Sequence, residues 1–211
     1  LNLCGIANIT VILTGKPDQS IGFDTGTANT LMDIWARQHL NTRYDENGSW
    51  AKSGTTEPAL LEQLLADPYF SKPAPKSTGT EYFSRLWLAE KLKGYEHLAP
   101  ADIQATLCAF SAETIANAIK RYAPNCKRVI ACGGGVDNPT LMGQIETRLP
   151  NIPLQSSSEY GIHPSHIEGA AFAWLARRRL CGLPGNLPSV TGASHPVMLG
   201  TVFPGAKSTY K

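Results

Sequence analysis

A chain of 211 residues, 42% hydrophobic and only 17% charged, has enough apolar mass for one good core and too little charge for a disordered segment. Its formal charge of +2 comes without a basic block or an aromatic–basic pattern, which argues against a nucleic-acid partner. No apolar run approaches the roughly 20 residues of a membrane span, and the five scattered cysteines form no Cys-x-x-Cys pair; a cytoplasmic setting with buried, inert thiols is expected.

The chain opens on Leu1 without a Met, directly in core-like sequence, and is expected to be cut at a domain boundary. Leu1–Leu3, Ile9–Leu13 and Ile21–Phe23 read as hairpin strands, broken at Gly5/Asn8 and at Thr14–Asp18. Asp24 follows as a carboxylate at a strand end. Behind it Thr25–Ala28 reads as a small-residue turn that lets a ligand approach, and Leu31, Ile34 and Trp35 mark a helix to about Asn41. A catalytic base is commonly held in this way, although Asp before Thr-Gly also serves as a plain turn residue.

Tyr44–Gly54 reads as a loop. Pro58 starts a helix with Leu60, Leu61, Leu64 and Leu65 inside, stopped at Asp67-Pro68. Lys72–Gly79 is too rich in proline for regular structure and is expected at the surface, with Thr78 and Glu81 as the capping box of a helix over Glu81–Lys93. A long helix covers about Ala101–Tyr122. Then Arg128–Ala131 reads as a buried strand, followed by Gly133, Gly134 and Gly135, and by a helix from Asn138-Pro139 to Leu149. A glycine run between strand and helix admits a nucleotide phosphate to the helix N-terminus, or is simply a tight turn. Asn138 reads most simply as a helix N-cap. Ile152–Leu154 is the last expected strand, and Ser165, with Glu168 as its capping-box partner, opens a helix to Leu180. His163 and His166 lack the spacing of a metal site. The expected fold is a single α/β domain with a mixed sheet, hairpin strands first and helices packed on it.

Several blocks in this order resemble the anhydro-N-acetylmuramic acid kinases of the sugar kinase/Hsp70/actin superfamily: Leu1–Asn8, Gly22–Gly26, Pro75–Gly79, Cys132–Gly135 with Asn138, Ile167–Ala176 and Leu183–Ala193. The resemblance implies an actin-like (ribonuclease H-like) ATPase lobe over residues 1–183, with 184–211 irregular on its surface. The family's N-terminal Gly-Thr-Ser-x-Asp-Gly phosphate loop is not found, so the chain is expected to be the C-terminal lobe, inactive without its other half. The family's usual glycine is replaced by Cys4, and Thr27-Ala28 stand where Pro-Gly is common.

The implied reaction is ATP-dependent opening of the 1,6-anhydro bridge with phosphorylation of O6, in cell-wall recycling. It implies Asp24 as the base for the attacking water and Glu168, Lys76 and Asn29 on the sugar side. Gly5, Gly26, Gly133, Gly134, Gly135 and Asn138 fall on the nucleotide side. Glu168 and Lys76 have ordinary alternatives, a capping box and a solvated loop cation. Mg²⁺ would be held mainly through the ATP phosphates, with no dedicated metal ligands. A catalytically silent binding module and another sugar kinase of the superfamily stay open as functions, and a homodimer stays open as the assembly.

Overall fold

A computed structural model describes residues 1–205 of the chain. Strands β1 (Asn2–Leu3), β2 (Ile6–Val11) and β3 (Ile21–Thr27) form an antiparallel sheet in that order. Strands β4 (Val129–Ala131) and β5 (Leu154–Ser156) pair in parallel. The two sheets meet along β1 and β4. There the Leu1 amine donates to the Ile130 carbonyl at 2.8 Å, Cys132 N to Leu1 O at 2.9 Å and Leu3 N to Cys132 O at 2.7 Å. Hairpin strands thus precede a parallel pair, as the pattern predicted, but they form two small sheets joined through the Asn2–Cys132 bridge rather than the single mixed sheet expected.

The helices are α1 (Thr30–His39), α2 (Ser49–Ser53), α3 (Pro58–Leu65), α4 (Pro68–Ser71), α5 (Arg85–Lys91), α6 (Pro100–Tyr122), α7 (Pro139–Arg148), α8 (Ile167–Leu180) and α9 (Pro188–Thr191). The 23-residue α6 is the axis of the core, burying Leu107, Phe110, Ile115 and Ile119 against α1, α2, α3, α7 and the hairpin sheet. Around Phe110 the rings of Phe70, Phe83 and Trp87 pack edge-on, tilted or stacked, with centroids 5.2–6.2 Å apart. Such geometry favours aromatic pairs beyond the area they bury.

Several boundaries differ from the sequence reading. β2 starts at Ile6 and stops at Val11, leaving Ile12 and Leu13 exposed. β3 does not end at Asp24 but runs to Thr27. Its β-branched Thr25 and Thr27 are buried, with Thr25 Oγ1 donating to the Ala7 carbonyl at 3.2 Å and Thr27 Oγ1 3.1 Å from Ser111 Oγ. The expected loop at Tyr44–Gly54 holds α2, because buried Asp45 accepts from Trp50 N at 2.9 Å and Ala51 N at 2.8 Å. Asp67-Pro68 both stops α3 and caps α4, its carboxylate accepting from Tyr69 N at 3.0 Å. β5 lies two residues later than Ile152–Leu154, since Ile152 N is taken by the Leu149 carbonyl closing α7.

Both expected capping boxes fail, the first to a tertiary contact and the second to a local one. Thr78 gives its backbone N–H to Asp24, and α5 starts instead at Ser84, whose Oγ accepts from Trp87 N. Ser165 is bonded to His163 Nδ1 and α8 starts at Ile167; a capping box forms at Ser156 and Glu159, unforeseen. The 184–205 stretch is irregular apart from α9, yet not merely superficial. Val190 packs on β3 so closely that a Cβ at Gly22 would lie 2.8 Å from its Cγ1. Residues 206–211 of that expected segment lie outside the described residues.

Candidate active site

Asp24 sits within β3, next to an irregularity that shapes its surroundings. Ala7 pairs with Gly26 but Asn8 pairs with Asp24, so Thr25 is the extra residue of a β-bulge. Bulges bend a strand and re-aim its side chains, and they recur beside active sites. The 72–79 loop then docks on this strand. Asp24 N donates to the Lys76 carbonyl at 3.0 Å, and Asp24 Oδ2 accepts from Ser77 Oγ and from Thr78 N, each at 2.9 Å. Both side-chain bonds fall on Oδ2. Asp24 also lines a cavity of about 450 Å³ together with Asn8, Thr10, Phe23, Lys76 and Ser77, with Val190 and Thr191 of the C-terminal segment closing one side.

Tyr69 braces the same arrangement from α4. Its hydroxyl donates to the Asp24 carbonyl at 2.6 Å, and burial, then the charge of Asp24, pushes its pKa well above the usual tyrosine value, so it stays a donor. Lys76 Nζ donates to the Tyr69 carbonyl at 3.0 Å and lies 4.4 Å from that ring's centroid. Burial, with Arg121 and Lys72 adding repulsion, lowers its pKa below that of a free lysine. Half-buried at the cavity, Lys76 is tied to the scaffold. α4 itself hangs on Asp67, which also accepts from the Tyr82 hydroxyl at 2.7 Å and Trp87 Nε1 at 2.9 Å, with Lys91 Nζ at 3.4 Å. Burial alone would raise the Asp67 pKa; those hydrogen bonds and Lys91 outweigh it and hold the carboxyl below its ordinary value.

A second group lies at the other end of β3, about 10 Å along the strand by its rise per residue. Asn29 sends its amide N–H groups to the Leu3 and Cys4 carbonyls at 3.1 and 2.7 Å. The Gly5 carbonyl accepts from Ala28 N and Thr30 N at 2.9 and 3.1 Å. Across β1 lie the three glycines, each with its own reason. Gly133 has φ +85°, and a Cβ there would lie 2.8 Å from the Leu3 carbonyl carbon; at Gly135 it would lie 2.7 Å from Leu3 Cβ. At Gly134 it would meet nothing within 4 Å. The run therefore packs on β1 through its outer glycines and is open to a ligand at the middle one. It does not lead straight into a helix: a 3₁₀ turn, Gly134–Asp137, intervenes, and α7 is capped by Asn138, whose Oδ1 accepts from Leu141 N at 3.0 Å.

The structure thus brings Asp24 and Lys76 together at the cavity, and Gly5, Asn29, Gly133, Gly134 and Gly135 around β1. Asn29, expected beside the sugar, belongs to the glycine group. Gly26 belongs to neither. Its φ is +147°, and a Cβ there would lie 2.9 Å from Phe70 Cε1, so core packing accounts for this glycine. Glu168 lies exposed in the first turn of α8. That turn is linked to the glycine loop through the bond of Gly133 N to the Pro164 carbonyl, 3.1 Å. His163 and His166 face each other with ring centroids 5.3 Å apart. Sequence reading missed Ser77, Thr78 and Tyr69 as partners of Asp24. The Pro-Lys-Ser-Thr-Gly block was the only signal for the first two, and Tyr69 had none.

The family model for anhydro-N-acetylmuramic acid kinase matches residues 1–205. Among curated relatives, the anhydro-N-acetylmuramic acid kinase of Xanthomonas campestris pv. campestris strain 8004 is 48% identical over 204 residues, covering 97% of this chain and 53% of the relative. Those of Shewanella pealeana and Pasteurella multocida are 47% and 45% identical, with 97% and 98% of this chain and 55% of each relative covered. The chain spans about half the length of the curated relatives it matches.

Proposed function

The chain belongs to the anhydro-N-acetylmuramic acid kinase family, and from that premise we propose that it forms the C-terminal actin-like lobe, residues 1–183 with the described part of the following segment, 184–205, laid across it, of a kinase acting on anhydro-N-acetylmuramic acid. The observation that carries this reading is the pinned carboxylate. Ser77 and Thr78 hold Asp24 Oδ2 at 2.9 Å, and the same residue lines the cavity. A base fixed on one oxygen keeps the other in place for a proton, which is the preorganisation general-base catalysis requires.

The chemistry needs such a base, because the bridge oxygen of a 1,6-anhydro sugar carries no proton. Water attacks C1, Asp24 takes a proton from that water, and the C1–O6 bond breaks with its electron pair on O6. O6 then attacks the γ-phosphorus of ATP and ADP leaves, giving N-acetylmuramic acid 6-phosphate. Gly134 offers the open backbone that phosphates need, with Gly133 and Gly135 keeping the loop against β1 and Asn29 and Gly5 fixing the adjoining turn. Glu168, at the start of α8 beside that loop, is assigned to a sugar hydroxyl. Lys76 acts through Tyr69 as a strut of the carboxylate and meets a ligand only by leaving that bond. Mg²⁺ would screen the phosphate charge and be held mainly by phosphate and water. The setting is the cytoplasm, where the free thiols of this chain persist; among the described residues no helix is long and apolar enough to cross a membrane.

The test uses this chain together with the polypeptide that supplies the rest of the relatives' length, in ¹⁸O water with ATP, Mg²⁺ and a panel of anhydro and free sugars. The reading expects phosphate on O6 and ¹⁸O on C1 of anhydro-N-acetylmuramic acid, and no turnover by this chain alone. Absence of product, or preference for a sugar without the bridge, would overturn it.

A further inference from the structure

Helix α8 breaks the rule that the other long helices follow. It runs for 14 residues and buries none of them. Yet its sequence carries the stripe of a packed face: Gly169, Phe172, Ala173, Ala176 and Leu180 recur at helical spacing, and all five are exposed, Phe172 at 65% and Leu180 at 75%. The opposite side has modest cover. Ile167 and Leu175 are half-buried, Gly185 and Leu199 pack near Leu175, and Arg178 donates to the Pro184 carbonyl at 2.7 Å while lying over the Trp174 ring. A helix this short is marginal in water on propensity alone and draws its stability from burying an apolar face. The small residues along the stripe let another backbone come close, and the large ones at positions 172 and 180 would anchor it.

We propose that this stripe is the seat of the other half of the kinase fold, the part of the relatives' length outside the region they share with this chain. The inference rests on the kinase reading above and names the surface that completes its site. Two observations select that occupant over a second copy of the chain. The relatives devote only 53–55% of their length to the shared region, so each carries a further stretch of comparable size. The position of the stripe also fits: α8 follows Pro164, whose carbonyl holds Gly133 N at 3.1 Å. A polypeptide laid along the roughly 21 Å of α8 therefore ends beside the open Gly134, where a nucleotide needs a second wall.

Co-expression of the 211-residue chain with the remaining part of the Xanthomonas campestris relative tests this directly. The expected result is a one-to-one complex in which the amides of residues 169–180 exchange at least about tenfold more slowly than in the chain alone. Phe172→Glu weakens the complex at least about tenfold, as loss of a central apolar anchor does. Leu86→Glu, at an 83%-exposed position on α5, leaves it unchanged. Circular dichroism of Phe172→Glu checks that the fold is kept, and the exchange comparison needs no variant. A complex with α8 unprotected, self-association through α8 that excludes the second half, or no complex at all would each overturn the proposal. Sugar phosphorylation by the same complex is read separately: a protected but inactive complex removes the kinase reading and leaves the docking surface, whereas an active complex with α8 unprotected does the reverse.

Discussion

The two ends of β3 are built on opposite plans. Around Asp24 the polar groups are engaged by protein: Ser77, Thr78 and Lys76 hold the residue from one loop and Tyr69 from α4. At Gly134, by contrast, a side chain would find empty space. A reacting group must be kept still, and the cost of ordering it is met in folding; a ligand's charged tail needs room and backbone N–H groups, which a bare loop provides. The comparison implies that substitutions at the first end report on structure and turnover together, whereas those at the second separate into packing and binding.

The largest expected effect lies away from both ends, at Asp67, on which α4 and hence Tyr69 depend. Asp67→Ala leaves Tyr82, Trp87 and Lys91 without their shared acceptor and should cost about 3 kcal/mol of stability, measured by urea unfolding at neutral pH. Because the folded pKa of Asp67 is depressed, its contribution is complete above the ordinary carboxylate range and is lost as pH falls through the folded value. The variant should accordingly lose less stability than the parent on acidification. A stability change below about 0.5 kcal/mol would show that the Asp24 end stands without this support.

Within the glycine run, the plan predicts a split. Gly135→Ala should cost about 2 kcal/mol, since its Cβ would press into Leu3. Gly134→Val should leave unfolding nearly unchanged and weaken ATP binding about tenfold or more, with little effect on the sugar, as titration calorimetry with each ligand will read. Equal loss for both ligands would remove the distinction between packing and open glycines.

The smallest effect is expected at Asp33, in the first turn of α1 behind Asn29. Burial raises its pKa to about 6, with Arg37 4.0 Å away opposing. A carboxylate whose folded pKa is raised is destabilising once ionised, so stability should fall as pH rises from about 4 through 6 and level off above. Asp33→Asn should remove that fall and gain about 1 kcal/mol at pH 8, read from thermal melts at several pH values. An unchanged pH dependence would show the group to be solvated.

Local signals carried the parts of this molecule that local chemistry decides. Asn138 caps α7 three residues away, and the apolar spacing of α6 and the glycine run located their elements within a residue or two. Most of what failed was decided by distant groups. Thr78 had a capping-box partner in sequence, but Asp24, 54 residues away, captured it; Ser165 instead bonds its near neighbour His163, two residues before it. Asp24 was legible as a carboxylate at the end of a short apolar strand, but the strand's continuation to Thr27 and its β-bulge were not, because a bulge is a property of the pairing with Ala7 and Asn8. Tyr69 reaches Asp24 across 45 residues of chain, so no spacing rule could have found it.

The central claim, that Asp24 is the base, is tested most directly by Asp24→Asn in the assembled kinase, with kcat, sugar affinity and melting temperature measured on one preparation. Asparagine keeps the acceptor for Ser77 and Thr78 but cannot take the proton of the attacking water. The account predicts a fall in kcat of about 10²-fold or more, with affinity and melting temperature nearly unchanged. Turnover close to that of the parent, or a loss matched by unfolding, would contradict it.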